Sequence, residues 1–408
     1  MPATQLPTLP DNQRDVAMKL PTQKKLRIAL GHDWLCGYRG GEGVLERLIR
    51  LTRTKYEFAG LYVMFDDGRP VAPAIDATER TVSGVGKLPG ASGKFRRWLL
   101  PMYPKAIRQL SRALMRDHER APIDLLITTS SAAVKGLRAP MGVPHLCYCH
   151  SPPRYVWSQA SEYERTSFAR RMGLKMFGPS FRRWDQVSSS ADYVTRLLAN
   201  SRHTAEEVTR CYERSASVVH PPVRTDFFTP AVEKIGDARE DYWLYVGALE
   251  PYKRVDLAIQ AAKKLGQRLV IVGNGSEIQH LANEARGARV QFTGRIDDFA
   301  LREHYRRARL LVFPQVEDFG IAAVEAQACG LPVVARRAGG ALDSVIDGQT
   351  GAFFNDGTLE SLVAATIRCP RRVDAACRVN AERFSEQAFD IAMMREIEAI
   401  VHPAIEAQ

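Results

Sequence analysis

The chain has 408 residues, of which 45% are apolar and 25% are charged, and its formal net charge is +11. A chain of this length exceeds the roughly 250–300 residues at which one hydrophobic core normally splits, so we expect two domains of about 200 residues each. No apolar run approaches the roughly 18 residues of a membrane span, which argues against a transmembrane protein.

The N-terminal segment, residues 1–24, is polar, contains prolines and lacks an apolar central stretch. This composition predicts a flexible tail and argues against a secretory signal. The seven cysteines stand at irregular spacing and do not form the pattern of a disulfide framework. We therefore expect a reducing, cytoplasmic location.

From residue 25 onward, short apolar runs alternate with amphipathic stretches, which is typical of α/β units around parallel sheets. The predicted strands of the first half are 26–32, 58–65, 123–129, 144–149, 193–199 and 216–220. The predicted strands of the second half are 243–247, 268–273, 289–293, 309–313 and 331–335. Because the pattern starts again in the second half, we predict two Rossmann-like, doubly wound α/β domains.

The paired prolines Pro221 and Pro222 end regular structure and predict a linker, with a domain boundary near residue 225. We therefore expect an N-terminal domain over residues 25–225 and a C-terminal domain over residues 226–384. The remaining segment, residues 385–408, contains an amphipathic helix with no strand after it. This helix can pack on either domain, including back on the N-terminal one.

The positive charge is concentrated in the first half of the chain. Residues 1–220 contain 34 Lys and Arg against 20 Asp and Glu, whereas the rest contains 23 against 26. Residues 87–120, here called the basic segment, hold nine cations interleaved with apolar residues such as Trp98. Such a surface suits an anionic membrane or a phosphate-bearing acceptor, and a solvated helix face is the alternative. Nucleic acid is not an expected partner, because stacking aromatics in a groove are not evident.

The strongest candidate site lies in residues 311–330, which predict a buried strand, a short loop and a helix that starts near Asp318 or Phe319. A helix start beyond the carboxyl end of a parallel strand offers unpaired N–H groups and about half a positive charge to a diphosphate. Gly320 lets the backbone approach such an anion closely. The donor-binding candidates at this helix start are Asp318, Phe319, Gly320 and Ile321.

Two acids flank this helix start. We expect Glu317, before the helix, to contact a donor sugar and Glu325, inside it, to accept the two ribose hydroxyls of a nucleotide. Stabilisation of the helix dipole is the alternative role for Glu317. The spacing of the two acids resembles the E-x7-E signature of the retaining GT-B glycosyltransferases of family four.

Nearly the whole chain resembles this family. The similar segments are residues 32–35, 39–42, 148–152, 245–256, 273–275 and 292–295. Their residues are most similar to bacterial mannosyltransferases of O-antigen and exopolysaccharide assembly, which use GDP-mannose. The resemblance implies a GT-B fold, in which the two domains face a central cleft, and transfer with retention of the anomeric configuration.

The resemblance also implies residue roles in this chain. It assigns Lys253 to the donor phosphates and places His150 beside the reacting sugar, so the catalytic set is His150, Lys253 and Glu317. Two further segments resemble loops that hold the nucleotide base. Their candidate residues are Gly273, Asn274 and Arg295.

The second cation for the donor phosphates is not obvious in this chain. The family pattern usually has an arginine where this chain has Ala248, which leaves Arg254 or Arg39 as the second phosphate partner. Gly40 and Gly41, just before a predicted helix, can place backbone N–H groups against the phosphates from the opposite side of the cleft. A simple tight turn is the alternative for these glycines.

Four residues that follow first-half strands are acceptor candidates: His32, Asp33, Arg154 and Tyr155. His32 and Asp33 end the first strand, where a hydrogen-bonded structural role is the alternative for each. Arg154 and Tyr155 follow the predicted strand 144–149.

We expect no metal and no other cofactor. The sequence has no D-x-D motif to bridge a diphosphate through a metal, and helix starts with Lys253 would replace that cation. The leading hypothesis is a retaining transferase that moves a sugar onto a lipid-linked or polysaccharide acceptor at the inner face of the cytoplasmic membrane. The favoured sugar is mannose, with GDP-mannose as its donor. The alternatives are a UDP-sugar-dependent transferase, a sugar-nucleotide epimerase and a catalytically silent partner protein.

Overall fold

The computed structural model describes residues 25–93, 96–158, 168–231 and 239–402. Within these ranges the chain forms two parallel β-sheets, one from each half, with helices packed around them. The predicted N-terminal tail lies outside the described residues, as does Lys94 of the basic segment.

The first sheet has seven strands among the described residues, in the order β3-β2-β1-β4-β5-β6-β7. All neighbouring strands are parallel. The strands are β1 (Arg27–Leu35), β2 (Glu57–Asp66), β3 (Arg80–Val82), β4 (Leu125–Ser130), β5 (His145–Cys149), β6 (Arg196–Ala199) and β7 (Ser217–Val218).

The second sheet repeats this plan with six described strands in the order β10-β9-β8-β11-β12-β13, again all parallel. The strands are β8 (Tyr242–Val246), β9 (Arg268–Val272), β10 (Val290–Gly294), β11 (Leu310–Phe313), β12 (Val333–Arg336) and β13 (Gly351–Phe354). In both sheets the strand order reverses beside the first strand, between β1 and β4 and between β8 and β11. Ligands of open α/β sheets bind beyond the carboxyl ends of strands at such a reversal.

Helices connect the strands in both halves. In the first half they are α1 (Gly40–Lys55), α2 (Pro73–Asp76), α3 (Tyr103–Arg120), α4 (Phe168–Ser188) and α5 (Arg202–Tyr212). In the second half they are α6 (Val255–Leu265), α7 (Ile278–Glu284), α8 (Asp298–Arg307), α9 (Ile321–Ala328), α10 (Ala341–Ser344), α11 (Leu359–Arg368), α12 (Asp374–Glu382) and α13 (Glu386–Val401). Short 3-10 turns cover Arg96–Met102, Val134–Gly136 and Pro251–Lys253.

Helix α6 shows how the sequence pattern produces this packing. Its buried residues Val255, Ala258, Ile259 and Ala262 follow the spacing i, i+3, i+4 and i+7, so they form one apolar face against the second sheet. The helix ends at Gly266, which adopts the left-handed conformation (φ 63°) that closes many helices.

The last helix, α13, packs on the first sheet although it follows the second. Phe389, Met393 and Ile397 lie at intervals of four residues and are buried in the core around β1 and α1. At the polar edge of this contact, the Arg47 guanidinium donates two hydrogen bonds of 2.8 and 2.7 Å to Asp390. The C-terminal segment therefore joins the two halves of the chain.

All seven cysteines are free thiols, and six of them are buried. Across the described ranges, no helix combines the length and the apolar character that crossing a bilayer would require.

Candidate functional site

The carboxyl ends of the two sheets face one another across a cleft of about 1110 Å³. The first half contributes the loops after β1 and β5 and the start of α1, and the second half contributes the loops after β8, β9 and β11. The cleft therefore lies where the strand order of both sheets predicts a ligand site.

Two helix starts meet in this cleft. A Cβ atom on Gly40, the first residue of α1, would lie 2.9 Å from Cδ1 of Ile321, the first residue of α9. Neither helix has a side-chain hydrogen bond from its N-cap residue, Arg39 or Gly320. Both helices thus direct N–H groups and positive dipole ends toward one space, which favours an anion there.

Helix α9 starts at Ile321, two or three residues later than the sequence predicted. Gly320 adopts a left-handed conformation (φ 94°), and a Cβ there would lie 2.8 Å from Cζ of Phe313. Phe319 lines the cleft, but its ring is buried against Phe384 at a ring distance of 5.4 Å. Because the Phe319 ring is buried and Gly320 is left-handed, α9 begins only at Ile321, and these two residues fix the direction in which it starts.

Gly340 supports the loop before α9 from behind. A Cβ on Gly340 would lie 2.2 Å from Cα of Phe319, and the Gly340 N–H donates to the Glu317 carbonyl at 2.8 Å. Only glycine allows this close approach of two backbones. The backbone of Gly340 therefore fixes the loop that carries Glu317 and Asp318 from behind.

Lys253 and Glu317 form an ion pair inside the cleft. Lys253 ends the 3-10 turn after β8, and Glu317 lies in the loop after β11. Their side chains are only 12% and 15% exposed. Burial, and then the nearby Arg154, lower the pKa of Lys253 to about 7, while the carboxylates of Asp318 and Glu250 oppose this shift. A polyanionic ligand would raise that pKa and recharge the lysine.

Glu325 lies four residues after Ile321, on the same face of α9 as the helix start. Its carboxylate accepts a hydrogen bond of 3.1 Å from the Tyr305 hydroxyl. Burial raises the pKa of Glu325 to about 7, and the nearby Arg224 opposes this rise. Glu325 therefore lies one helical turn from the point where the two helices meet, but it is not among the residues that line the cleft.

His32 and His150 offer two open hydrogen-bonding positions to the cleft. The Nε2 atom of each ring is buried and has no hydrogen-bond partner among the described residues. His32 Nδ1 lies 2.6 Å from Thr129 Oγ1, and the His150 carbonyl accepts a 3.0 Å hydrogen bond from Asn200. Burial lowers the pKa of both histidines to about 4, so both rings are neutral at pH 7.

Two acceptor candidates do not reach the cleft. The Asp33 carboxylate is 1% exposed and accepts hydrogen bonds of 2.6–2.8 Å from four consecutive backbone N–H groups, residues 131–134. Asp33 therefore fixes the turn after β4. This is the hydrogen-bonded structural role that we gave as the alternative for this residue. Tyr155 packs into the first-half core beside Phe181, with 6.3 Å between ring centres.

Arg254 is also directed away from the cleft. It pairs with Asp256 at 3.2 Å and lines a separate pocket of about 440 Å³ together with Gln260. Its backbone is left-handed (φ 52°), because the chain turns sharply into α6. Arg254 is therefore not placed to bind a phosphate in the cleft, whereas Arg39 and Arg154 both line it.

The residues expected at the nucleotide base, Gly273, Asn274 and Arg295, all line the cleft. A Cβ on Gly273 would lie 1.9 Å from the Gly247 carbonyl oxygen, so this position requires glycine. The loop after β8, which carries Gly247, and the loop after β9, which carries Gly273, thus lie close enough together to form one wall of the cleft.

The sequence did not indicate the contacts that join the two halves beside the site. Ser201 Oγ donates to the Asp318 carbonyl, and Arg202 pairs with Asp343. His220 Nε2 also lies 3.2 Å from Asp343. The only local signal was the N-cap pattern of Ser201, whose Oγ accepts from the Thr204 N–H at 3.0 Å.

Solved structures define the class to which this fold belongs. A sucrose-phosphate synthase from Thermosynechococcus elongatus superposes with a TM-score of 0.71 at 19% identity, covering 93% of this chain and 100% of that one. The architecture is the GT-B fold, which confirms the predicted fold class.

Residues 40–227 match the family Glycosyltransferase Family 4, and residues 231–369 match Glycosyl transferases group 1. Each half of the chain therefore matches a glycosyltransferase family model, in agreement with the motif resemblance to family four.

Two relatives illustrate the likeness. D-inositol 3-phosphate glycosyltransferase 2 of Catenulispora acidiphila is 35% identical over 222 residues, which are 46% of this chain and 51% of that protein. A GDP-mannose-dependent alpha-(1-6)-phosphatidylinositol monomannoside mannosyltransferase of Mycolicibacterium smegmatis is 32% identical over 219 residues, or 47% and 56% of the two chains. The matched part spans about half the length of these curated relatives.

Proposed function

We propose that this protein is a retaining glycosyltransferase that transfers a hexose to a lipid-linked or polysaccharide acceptor in cell-surface glycan synthesis. The favoured hexose is mannose, with GDP-mannose as its donor. The observation that carries the proposal is the meeting of two uncapped helix starts, at Gly40 and Ile321, in a cleft that also holds Lys253. Such a place suits the diphosphate of a nucleotide sugar.

The cleft supplies the electrostatic part of the reaction. Negative charge develops on the nucleoside diphosphate as the glycosidic bond breaks, and fixed dipoles and cations in a water-poor site stabilise that charge. The two helix starts and Lys253 provide this stabilisation without a metal ion.

The remaining cleft residues position the two substrates. The unpaired Nε2 atoms of His32 and His150 can hydrogen-bond to sugar hydroxyls, and Glu317 binds the donor sugar once Lys253 turns to the phosphates. We assign the ribose hydroxyls to Glu325, which lies one helical turn beyond the cleft residue Ile321. Because Glu317 is assigned to the hydroxyls of the donor sugar and not to attack on its anomeric carbon, we favour a same-face reaction, in which the departing phosphate oxygen takes the proton of the acceptor hydroxyl.

GDP-mannose is the preferred donor because the motif resemblance and the name of one relative agree on it. A binding panel with GDP, UDP, ADP and their sugars tests this choice, and tighter binding of GDP-mannose than of UDP-glucose supports it. Mass spectrometry of each donor incubated alone then tests the epimerase alternative. An isomerised sugar nucleotide would contradict transferase function, and binding of no nucleotide sugar would favour a silent partner protein.

We also place the protein at the inner face of the cytoplasmic membrane. Four exposed cations of the basic segment lie on one face of α3 at intervals of three or four residues: Lys105, Arg108, Arg112 and Arg116. Exposed apolar side chains stand nearby, on the 3-10 turn and on the helix packed against it: Trp98, Met172, Met176 and Phe177. Cations around an apolar patch suit anionic lipid headgroups.

Sedimentation with lipid vesicles tests this placement. The protein should bind vesicles that contain phosphatidylglycerol and should not bind pure phosphatidylcholine. Replacing Arg112 and Arg116 by Glu should weaken binding about tenfold or more, since each cation contributes on the order of 1 kcal/mol. The matched control reverses Lys263 and Lys264 on α6, and equal effects of the two pairs would contradict this surface.

A further inference from the structure

Arg154 comes from the first half of the chain but reaches the second-half loop that starts α9. It follows β5, lines the cleft and forms an ion pair with Asp318. It is also close enough to Lys253 to help lower the pKa of that lysine. Two cations from opposite walls therefore stand beside the same pair of helix starts.

The second half leaves room for this cation. Ala248, in the loop after β8, is exposed and lines the cleft without a charge, and Arg254 points to a separate pocket. Within the described residues, four cations line the cleft: Arg39, Arg154, Lys253 and Arg295. Of these, Arg154 and Lys253 both pair with the loop that begins α9, and Arg154 is the one of the two that comes from the first half.

We propose that Arg154 is the second phosphate-binding cation and exchanges Asp318 for the diphosphate when the donor binds. The inference rests on the proposed function. A guanidinium can donate two parallel hydrogen bonds to phosphate oxygens, which a lysine cannot do. In the donor-free protein Asp318 neutralises Arg154 and holds it at the rim of the site.

This exchange also explains how a ligand would couple the two halves. Lys253 belongs to the second half and Arg154 to the first, so one diphosphate bound by both would bridge the cleft. This bridge requires a bound diphosphate. Part of the binding energy of the donor would therefore hold the two halves in the reactive arrangement.

Calorimetric titration of the full chain with GDP and GMP, and with UDP and UMP in parallel, tests the proposal. Arg154→Ala should weaken diphosphate binding about 10- to 100-fold, the range of a charge-assisted hydrogen bond, and should affect monophosphate binding less. Asp318→Asn breaks the same ion pair but removes a negative charge beside the phosphates, so it should strengthen diphosphate binding.

The pair of variants separates a phosphate ligand from a structural latch. If Arg154 only ties the two halves together, both substitutions break that tie and weaken diphosphate binding equally, which would overturn the proposal. If Arg154→Ala does not fold, Arg154→Lys keeps the charge and loses the paired donors, and diphosphate affinity equal to the parental value would overturn the proposal. A parental protein that binds no nucleoside diphosphate contradicts the proposed function itself.

Discussion

Lys253 and Glu317 pair with each other across the crevice between β8 and β11, the two strands beside which the order of the second sheet reverses. Each residue comes from a different loop, and each is largely shielded from water. Below pH 7, where Lys253 is protonated, the pair neutralises both charges until a ligand with phosphates and hydroxyls offers new partners.

Loss of either member of the pair should abolish most of the transfer. Lys253→Ala removes the cation that stabilises the leaving diphosphate, and Glu317→Gln removes the carboxylate that we assign to the donor sugar. Each should lower kcat about 100-fold or more in a sugar-transfer assay, the scale of one preorganised electrostatic contact. Lys264→Ala is the control, because Lys264 is 49% exposed and pairs with Glu360 at 3.4 Å. Parental rates for folded Lys253→Ala would contradict the role of this lysine.

Donor binding should be coupled to proton uptake above pH 7. The pKa of Lys253 is lowered to about 7 in the free protein, and bound phosphates should raise it, so the lysine takes up a proton on binding at pH 8. Titration calorimetry of GDP at pH 8 in buffers of different ionisation enthalpy measures this uptake. Lys253→Arg should bind GDP without it, because a guanidinium stays charged. Equal uptake by both proteins would assign the proton to another group.

Stability should fall between pH 6.5 and pH 4. His145 is buried, lies with Nδ1 2.9 Å from the Tyr193 carbonyl and with Nε2 2.8 Å from Thr128 Oγ1, and burial lowers its pKa to about 4. The unfolded chain binds a proton near pH 6.5 and the folded chain does not, so acid favours unfolding. Each such histidine contributes up to about 1.4 kcal/mol per pH unit in this window.

Urea unfolding of His145→Gln at pH 7.5 and pH 5 measures this contribution. The variant should lose less stability between the two pH values than the parental protein does, whatever its absolute stability. The exposed His280 provides the control through His280→Gln, which should keep the parental pH dependence. An unchanged pH dependence in His145→Gln would show that this ring is not buried in its neutral form.

The last helix should contribute to the stability of the first half. Met393 on α13 is fully buried in the core around β1, so Met393→Ala should lower the free energy of unfolding by about 2–5 kcal/mol. Ile391 on the same helix is 58% exposed, and Ile391→Ala should change the free energy of unfolding by less than about 0.5 kcal/mol. Chemical unfolding followed by circular dichroism compares the two, and equal small effects would contradict the docking of α13.

Much of the fold follows from local patterns in the sequence. Buried strands such as β9 and β11 contain continuous apolar runs, and their positions are predicted within a few residues. The edge strands β3 and β13 were missed, because β3 has three residues with one apolar side chain and β13 begins with Gly351 inside a turn-rich segment. Short edge strands lack the apolar run on which the prediction depends.

The candidate site was predictable in its residues but not in its contacts. The motif positions His150, Lys253 and Glu317 do come together at the cleft. Sequence spacing does not show that Asp33 bonds to four backbone N–H groups or that Arg254 points away from the cleft. These outcomes depend on how loops of separate strands meet in three dimensions.

The central claim is that the starts of α1 and α9, together with Lys253, bind the diphosphate of a nucleotide sugar. A crystal structure of the protein with GDP-mannose, or with the nucleotide that binds best, tests it most directly. We expect phosphate oxygens within hydrogen-bond distance of Lys253 Nζ and of backbone N–H groups at the two helix starts. Phosphates bound elsewhere, for example in the pocket beside Arg254, would contradict it.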